Sequence, residues 1–172
     1  TSEIEVPQTG RFGDVDVYSC GPWCQGPALL QTLNLVESAN LQGMGHNSPA
    51  YIHTLTEAIK LVMADRDCYY ADPRFVDVPM ERLLDKQYAA SRAAMIDAEK
   101  AWLEMPPPGD WRDMGLAHEP PVFRNPPLEA KDTGTDGAAL DTTYLCVVDD
   151  AGNVFSATPS DGSYNGGVVP GV

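Results

Sequence analysis

The sequence predicts an α+β chain, and three observations carry that reading. Apolar residues recur at helical spacing behind the Gly26-Pro27 and Ser48-Pro49 start signals. Near the far end, two β-favouring runs flank the turn-forming Asp149-Asp150-Ala151-Gly152-Asn153. Between these regions, 7 of the 15 prolines fall from Pro106 to Pro127, a stretch that reads as a linker rather than a packed element.

The first helix follows Gly26-Pro27 and places Ala28, Leu29, Leu30, Leu33 and Val36 on one expected buried face. In the second, Ser48 supplies a capping hydroxyl and Pro49 occupies the first helical position, where its missing N–H costs nothing. Its expected core face is Ile52, Leu55, Ile59, Val62 and Met63, and Asp72-Pro73 ends it. A third helix is expected from about Asp85 to Glu99, with Leu84, Tyr88, Ala89, Arg92, Met95 and Ile96 along it. Thr143 to Val148 and Phe155 to Thr158 are strands, and the turn between them closes an antiparallel hairpin. That hairpin returns Thr158 and Ser160 near Thr142.

Charge excludes several functions. With 25 acidic against 11 basic residues the net charge is -14, which repels nucleic acid and anionic lipid surfaces. All basic residues lie at or before Lys131, so an anion bound near the hairpin needs a positive partner from elsewhere. No run of about 18 apolar residues suggests a membrane span, and no basic-then-apolar leader opens the chain. The absence of an initial Met and the closing Val169-Pro170-Gly171-Val172 lead us to expect cuts within a longer product at both ends.

Cys20, Cys24, Cys68 and Cys146 match no disulfide scaffold and no zinc spacing, and are read as ordinary thiols, with a Cys20–Cys24 bridge or metal pair as the alternative. His46, His53 and His118 are read as solvated or capping, with no Ser-His-Asp order among them. The Asp65-Arg66-Asp67 cluster is read as ion pairs that tie the long helix to its neighbours. No metal or cofactor is called for, and no phosphate loop is present in the sequence.

The run Asp141-Thr142-Thr143-Tyr144-Leu145-Cys146-Val147-Val148-Asp149, continuing into Gly152-Asn153, resembles the self-cleavage site of gamma-glutamyltranspeptidases. The upstream part is similar to that family's large subunit at Gly13 to Ser19, Leu29 to Asn34, Thr56-Glu57-Ala58, Ala64-Asp65-Arg66 and Asp72 to Pro79. Matches in one order across nearly the whole chain are more specific than any short motif. The resemblance implies a partial N-terminal nucleophile hydrolase fold, an αββα sandwich. Residues 1–105 would be the mainly helical end of the large subunit, 106–141 a Pro/Gly-rich linker to the cleavage site, and 142–172 the start of the small subunit.

The same resemblance implies chemistry. The Asp141-Thr142 bond would be the cleavage site, with Thr142 as nucleophile, its own amine serving as base once freed. Ser160 falls where the family has a second threonine that supports the nucleophile; otherwise it is a loop serine bonded to its own backbone. Thr143 would orient Thr142, or simply favour the strand. Asp161 and Gly162 stand near the family's substrate-binding asparagine, and Tyr144 replaces its usual histidine. Gly166-Gly167 admit ligand or make a plain turn.

The donor would be a gamma-glutamyl compound such as glutathione, and the acceptor water, an amino acid or a peptide. A glutaryl or cephalosporin-type amide is the alternative donor, and a non-catalytic relative acting as scaffold the alternative function. The donor-binding arginine would precede this stretch and the oxyanion glycines would follow it. The rest of the precursor is therefore an expected partner, and the resemblance suggests a periplasmic or secreted setting.

Overall fold

The computed structural model describes residues 4–120, 141–158 and 160–161. Its contacts divide the chain into two units, Thr1–Asn125 and Pro126–Val172.

The first unit opens with a hairpin that the helical reading of this region did not include. Strands β1 (Gln8–Phe12) and β2 (Val15–Ser19) pair antiparallel, with Phe12 opposite Val15. The two-residue loop is Gly13-Asp14, and Gly13 has a φ of 57°, the left-handed value that a glycine-first hairpin turn requires. Gly10 allows the ladder to approach helix α1 (Gly26–Val36): a Cβ there would lie 3.1 Å from Leu30 Cδ2.

Helix α1 has Pro27 in its first turn, as expected, and buries Ala28, Leu30, Gln31, Leu35 and Val36. Leu29, expected in the core, is 53% exposed. After the short α2 (Leu41–Met44), helix α3 (Pro49–Tyr69) begins as predicted: Ser48 Oγ accepts from Tyr51 N at 3.1 Å. Its buried face agrees with the expected one at Val62, with Leu55 and Met63 packed against the core, and differs elsewhere. Glu57, Ala58, Leu61, Val62, Ala64, Asp65 and Tyr69 point inward, whereas Ile52 and Ile59 are exposed. A stripe drawn from apolar residues alone is rotated, because two carboxylates belong to the true buried face.

Helix α5 (Lys86–Ala93) follows the one-turn α4 (Met80–Leu83) and is capped by Asp85, whose Oδ1 accepts from Tyr88 N at 2.9 Å. It stops six residues short of the expected Glu99. Met95 N and Ile96 N turn to carbonyls three residues back, and Asp97 then bonds Glu99 N at 2.9 Å, which closes a turn instead of continuing the helix. Ala28, Leu35, Val36, Ala58, Leu61, Val62 and Ala89 form the principal apolar core between α1, α3 and α5.

Asp65 lies at the centre of this unit with no exposed surface. Its Oδ1 accepts from Arg92 Nη2 at 3.0 Å and Gly109 N at 2.8 Å; its Oδ2 accepts from Gln31 Nε2 at 2.6 Å and Tyr88 OH at 2.7 Å. Burial pushes the carboxyl above its usual range, against the pull of the Arg92 guanidinium and the surrounding donors. Arg66 and Asp67 pair with each other at the surface, and Arg66 Nη1 also donates to Gln25 Oε1 at 2.8 Å, so within the predicted cluster both Asp65 and Arg66 tie the long helix to its neighbours.

The described part of the proline-rich stretch, though largely exposed, is packed at several points. Arg92 Nη2 reaches Pro107 O at 2.9 Å, Tyr69 OH donates to Gly109 O, and Met114 is buried with Tyr69, Leu83 and Tyr88. The expectation of an unpacked linker therefore fails for residues 106–120. Its carbonyls and one N–H serve the buried polar groups of α3 and α5, a role that counting prolines does not reveal. Residues 121–140 lie outside the described residues.

Glu57, the other buried carboxylate, receives Lys60 Nζ at 2.6 Å and Trp102 N at 3.0 Å. Burial by itself would raise its pKa, but these donors outweigh it and hold the carboxyl below the usual range. Its stabilising contribution is thus complete above the unfolded value of about 4.3 and is lost as the pH falls through the depressed folded value. We expect Glu57→Gln to remove this part of the acid sensitivity, seen as a flatter dependence of the denaturation midpoint on pH below about 5. Replacing Arg92 with Met should cost about 3–5 kcal/mol in chemical denaturation of the full-length protein, because it strands the buried Asp65 charge.

Candidate active site

The second unit is built on one antiparallel strand pair. Strands β4 (Leu145–Val148) and β5 (Val154–Ala157) pair with Leu145 opposite Ala157 and Val148 opposite Val154, as the expected hairpin requires. Strands β3 (Asp141–Thr142) and β6 (Ser160–Asp161) pair beyond them, with Thr142 opposite Ser160 and Asp141 opposite Asp161. Stepping three residues outward from the Leu145–Ala157 pair on each strand arrives at Thr142 and Ser160, so both ladders share one register. No bulge shifts the nucleophile candidate relative to the hairpin.

Directly opposite residues in an antiparallel pair place their Cβ atoms about 4.5–5.5 Å apart. The ladder thus joins Asp141, Thr142, Ser160 and Asp161 by backbone pairing. Thr143 is exposed between β3 and β4. Gly162 and the Gly166-Gly167 pair lie outside the described residues.

The turn that sets this register is held by Asp149. Its Oδ1 accepts from Ala151 N at 3.0 Å and Asn153 N at 2.8 Å, while its Oδ2 accepts from Asn153 Nδ2 at 2.8 Å. Gly152 takes a φ of 81°, which a side-chain-bearing residue would adopt only with strain. The Asn153 amide and the neighbouring backbone N–H groups hold the Asp149 carboxyl below the usual carboxylate range.

The hairpin is apolar on both faces. Leu145, Val147 and Phe155 on one side and Val148 and Val154 on the other are all exposed within this piece. Strands that are apolar on both faces belong to sheets covered on both sides. One polar contact crosses the pair: Ser156 Oγ donates to Tyr144 OH at 3.2 Å. The sequence reading missed this contact, although Tyr and Ser at alternate positions of facing strands were its visible signal.

The remaining polar candidates take the plainer roles. His53 Nε2 lies 2.7 Å from Asp97 O, and His46 stacks edge-on to Tyr51, with ring centroids 5.6 Å apart. His118 is exposed. The four cysteines are free thiols, and burial pushes those of Cys24 and Cys68 up. Among the described residues no cluster of His, Cys, Asp or Glu could hold a metal ion, and no helix is long and apolar enough to cross a membrane.

Comparison with known proteins shows the class. The crystal structure of Helicobacter pylori gamma-glutamyltranspeptidase matches 66% of this chain and 32% of its own length, with a TM-score of 0.57 and 31% identity. The chain is therefore a partial N-terminal nucleophile hydrolase of mixed helix and strand. A family model described as gamma-glutamyltranspeptidase matches residues 1–171, and the chain belongs to that family. An acylase ACY 1 proenzyme of Pseudomonas sp. (strain SE83) is 34% identical over 157 residues, 91% of this chain and 24% of that protein. A glutathione hydrolase proenzyme of Escherichia coli (strain K12) is 32% identical over 168 residues, 96% of this chain and 25% of that protein. The chain thus spans about a quarter of the length of these curated relatives.

At neutral pH the Asp149 contribution to the turn is complete, and it fades as the pH falls through the depressed value. We expect Asp149→Ala to speed amide hydrogen exchange across residues 145–157 at pH 7 in the full-length protein. The difference from wild type should vanish in strong acid.

Proposed function

We propose that this chain carries the cleavage junction of a self-processing amidase precursor, with Asp141-Thr142 as the bond that breaks and Thr142 as the nucleophile. The observation that supports this most is the Thr142–Ser160 pairing, held in the register of the β4–β5 hairpin. In the processing step, Thr142 Oγ attacks the carbonyl carbon of Asp141. The amide C–N bond breaks, its nitrogen is protonated, and the acyl group passes to oxygen as an ester. Water then hydrolyses the ester, leaving a carboxylate on Asp141 and a free α-amine on Thr142.

That amine, like any chain-terminal amine with an ordinary pKa of about 8, is the base for the second reaction. It takes the hydroxyl proton as Oγ attacks a substrate amide, and an acyl-enzyme forms while the leaving amine departs. Water or an amino-acid or peptide acceptor then takes the acyl group. Ser160 supplies an oxygen near the nucleophile, Thr143 helps to orient it, and Asp161 with Gly162 borders the substrate.

The donor on this reading is a gamma-glutamyl amide such as glutathione, consistent with the glutathione hydrolase proenzyme among the relatives. A different acyl amide is the second reading, favoured by the likeness to an acylase proenzyme. Residues 1–105 form the end of the large subunit and 142–172 the start of the small one. The apolar faces of the hairpin are then covered by the rest of the precursor. Without preorganised oxyanion donors an amide hydrolase loses orders of magnitude in rate, so this stretch by itself is inactive.

Intact mass and amino-terminal sequencing of the full-length product over time test the reading. A new chain beginning Thr-Thr-Tyr is expected in wild type and none in Thr142→Ala. A wild-type chain that stays intact while correctly folded overturns it in favour of a non-catalytic relative.

A further inference from the structure

The strand pair that carries Thr142 is interrupted between its two ladders. Thr143 and Tyr144 lie between β3 and β4 without strand pairing, and the returning strand breaks after Ala157. The sequence on that return contains Pro159, which has no backbone N–H to give to a ladder. At the turn end the register is fixed by the Asp149 clamp, whereas Thr143 and Tyr144 belong to neither ladder.

Register matters here because its period is two. A slip of one residue along the outer ladder exchanges the residue opposite Thr142 and turns each side chain to the other face. In one direction such a slip brings Asp161, a carboxylate, to the place of Ser160, a hydroxyl. Negative charge beside the carbonyl of Asp141 opposes the build-up of oxyanion character during the acyl shift, so the correct register has a chemical consequence.

Tyr144 and Ser156 bridge the interruption. Ser156 sits opposite Cys146, inside the regular ladder, and its Oγ donates diagonally to the hydroxyl of Tyr144, which lies in the unpaired interval. Tyr144 is two residues from Thr142, so the two positions share one face of the pleat. The phenol is 62% exposed, and Ser156 is the single hydroxyl in Val154-Phe155-Ser156-Ala157. An apolar residue at 156 would suit the strand better by propensity.

We propose that Tyr144 and Ser156 form a positioning pair, whose hydroxyl–hydroxyl bond carries the hairpin register across the gap and so fixes Thr142 opposite Ser160 for the acyl shift. The inference rests on the cleavage of Asp141-Thr142 proposed above. Neither residue touches the reacting atoms; each acts through the placement of Thr142.

The test measures the rate of self-cleavage of the full-length precursor. Tyr144→Phe and Ser156→Ala should each slow it about threefold to tenfold, the effect of one net hydrogen bond. The double variant should be no slower than the slower single one, because both remove the same bond. Ser156→Thr, which keeps the hydroxyl, should restore the wild-type rate. Thermal melting of the precursor is read in parallel; if Tyr144→Phe lowers it, the exposed Ser156→Ala and Ser156→Thr pair decides. Wild-type rates in both single variants, or effects that multiply in the double, overturn the positioning role while leaving the proposed function standing. A wild-type precursor that never cleaves overturns both.

Discussion

The helical unit is organised around a charge with no access to water. Asp65 accepts four hydrogen bonds, from Gln31 on α1, Tyr88 and Arg92 on α5, and Gly109 beyond the helices. Each donor comes from a segment distant in sequence, so a single carboxylate fixes the mutual register of α1, α3, α5 and residues 106–120. Apolar packing alone does not do this, because leucine and valine faces tolerate small shifts at little cost. A buried carboxylate tolerates none, since a lost donor exposes the full cost of desolvating it. Tyr70 extends the network by donating to Gln31 Oε1 at 3.1 Å, which satisfies the far side of the amide. Burial and the nearby Asp65 charge push the phenols of Tyr70 and Tyr88 up, so both stay protonated as donors throughout the ordinary pH range.

The hairpin unit is held together differently. Its described side chains bury almost nothing, and its order comes from ladder hydrogen bonds and from Asp149 closing the turn. An isolated two-stranded hairpin is marginal in water. This one also exposes valine, leucine and phenylalanine on its two faces, a free-energy cost that cover on both sides removes. This chain spans about a quarter of the length of its curated relatives, which is consistent with that reading.

What the sequence disclosed, and what it did not, follows the range of the forces involved. The Ser48 cap, the Pro49 start and the Asp149–Asn153 turn are local, and each stands where the residues place it. The hairpin at Gln8–Ser19 was equally local, since Gly13-Asp14 between alternating runs is a turn signal, but a helical reading of the whole region hid it. The core face of α3 is only partly legible from apolar spacing, because Glu57 and Asp65 are buried by partners at Trp102, Gly109 and Arg92 that no local window contains. The end of α5 was lost for the same reason. Its continuation is replaced by the Asp97 turn, whose carbonyl is met by His53 from the other helix. At the proposed junction the residues proposed for chemistry are ordinary strand formers, and only their order along the chain marks them.

On the proposed function, the position of Thr142 at the outer end of a strand suits a residue that would serve first as an internal amide and then as a chain terminus. Pairing of Asp141 with Asp161 and of Thr142 with Ser160 holds the bond proposed to break in an extended segment. After the proposed cleavage, Leu145–Val148 would stay paired with Val154–Ala157 and keep the new amine close to its strand. A nucleophile on a flexible loop would pay the entropy of ordering in both reactions. On a strand whose register is set by a turn a few residues away, that ordering would already be accomplished when the chain folds, for the proposed precursor and its product alike.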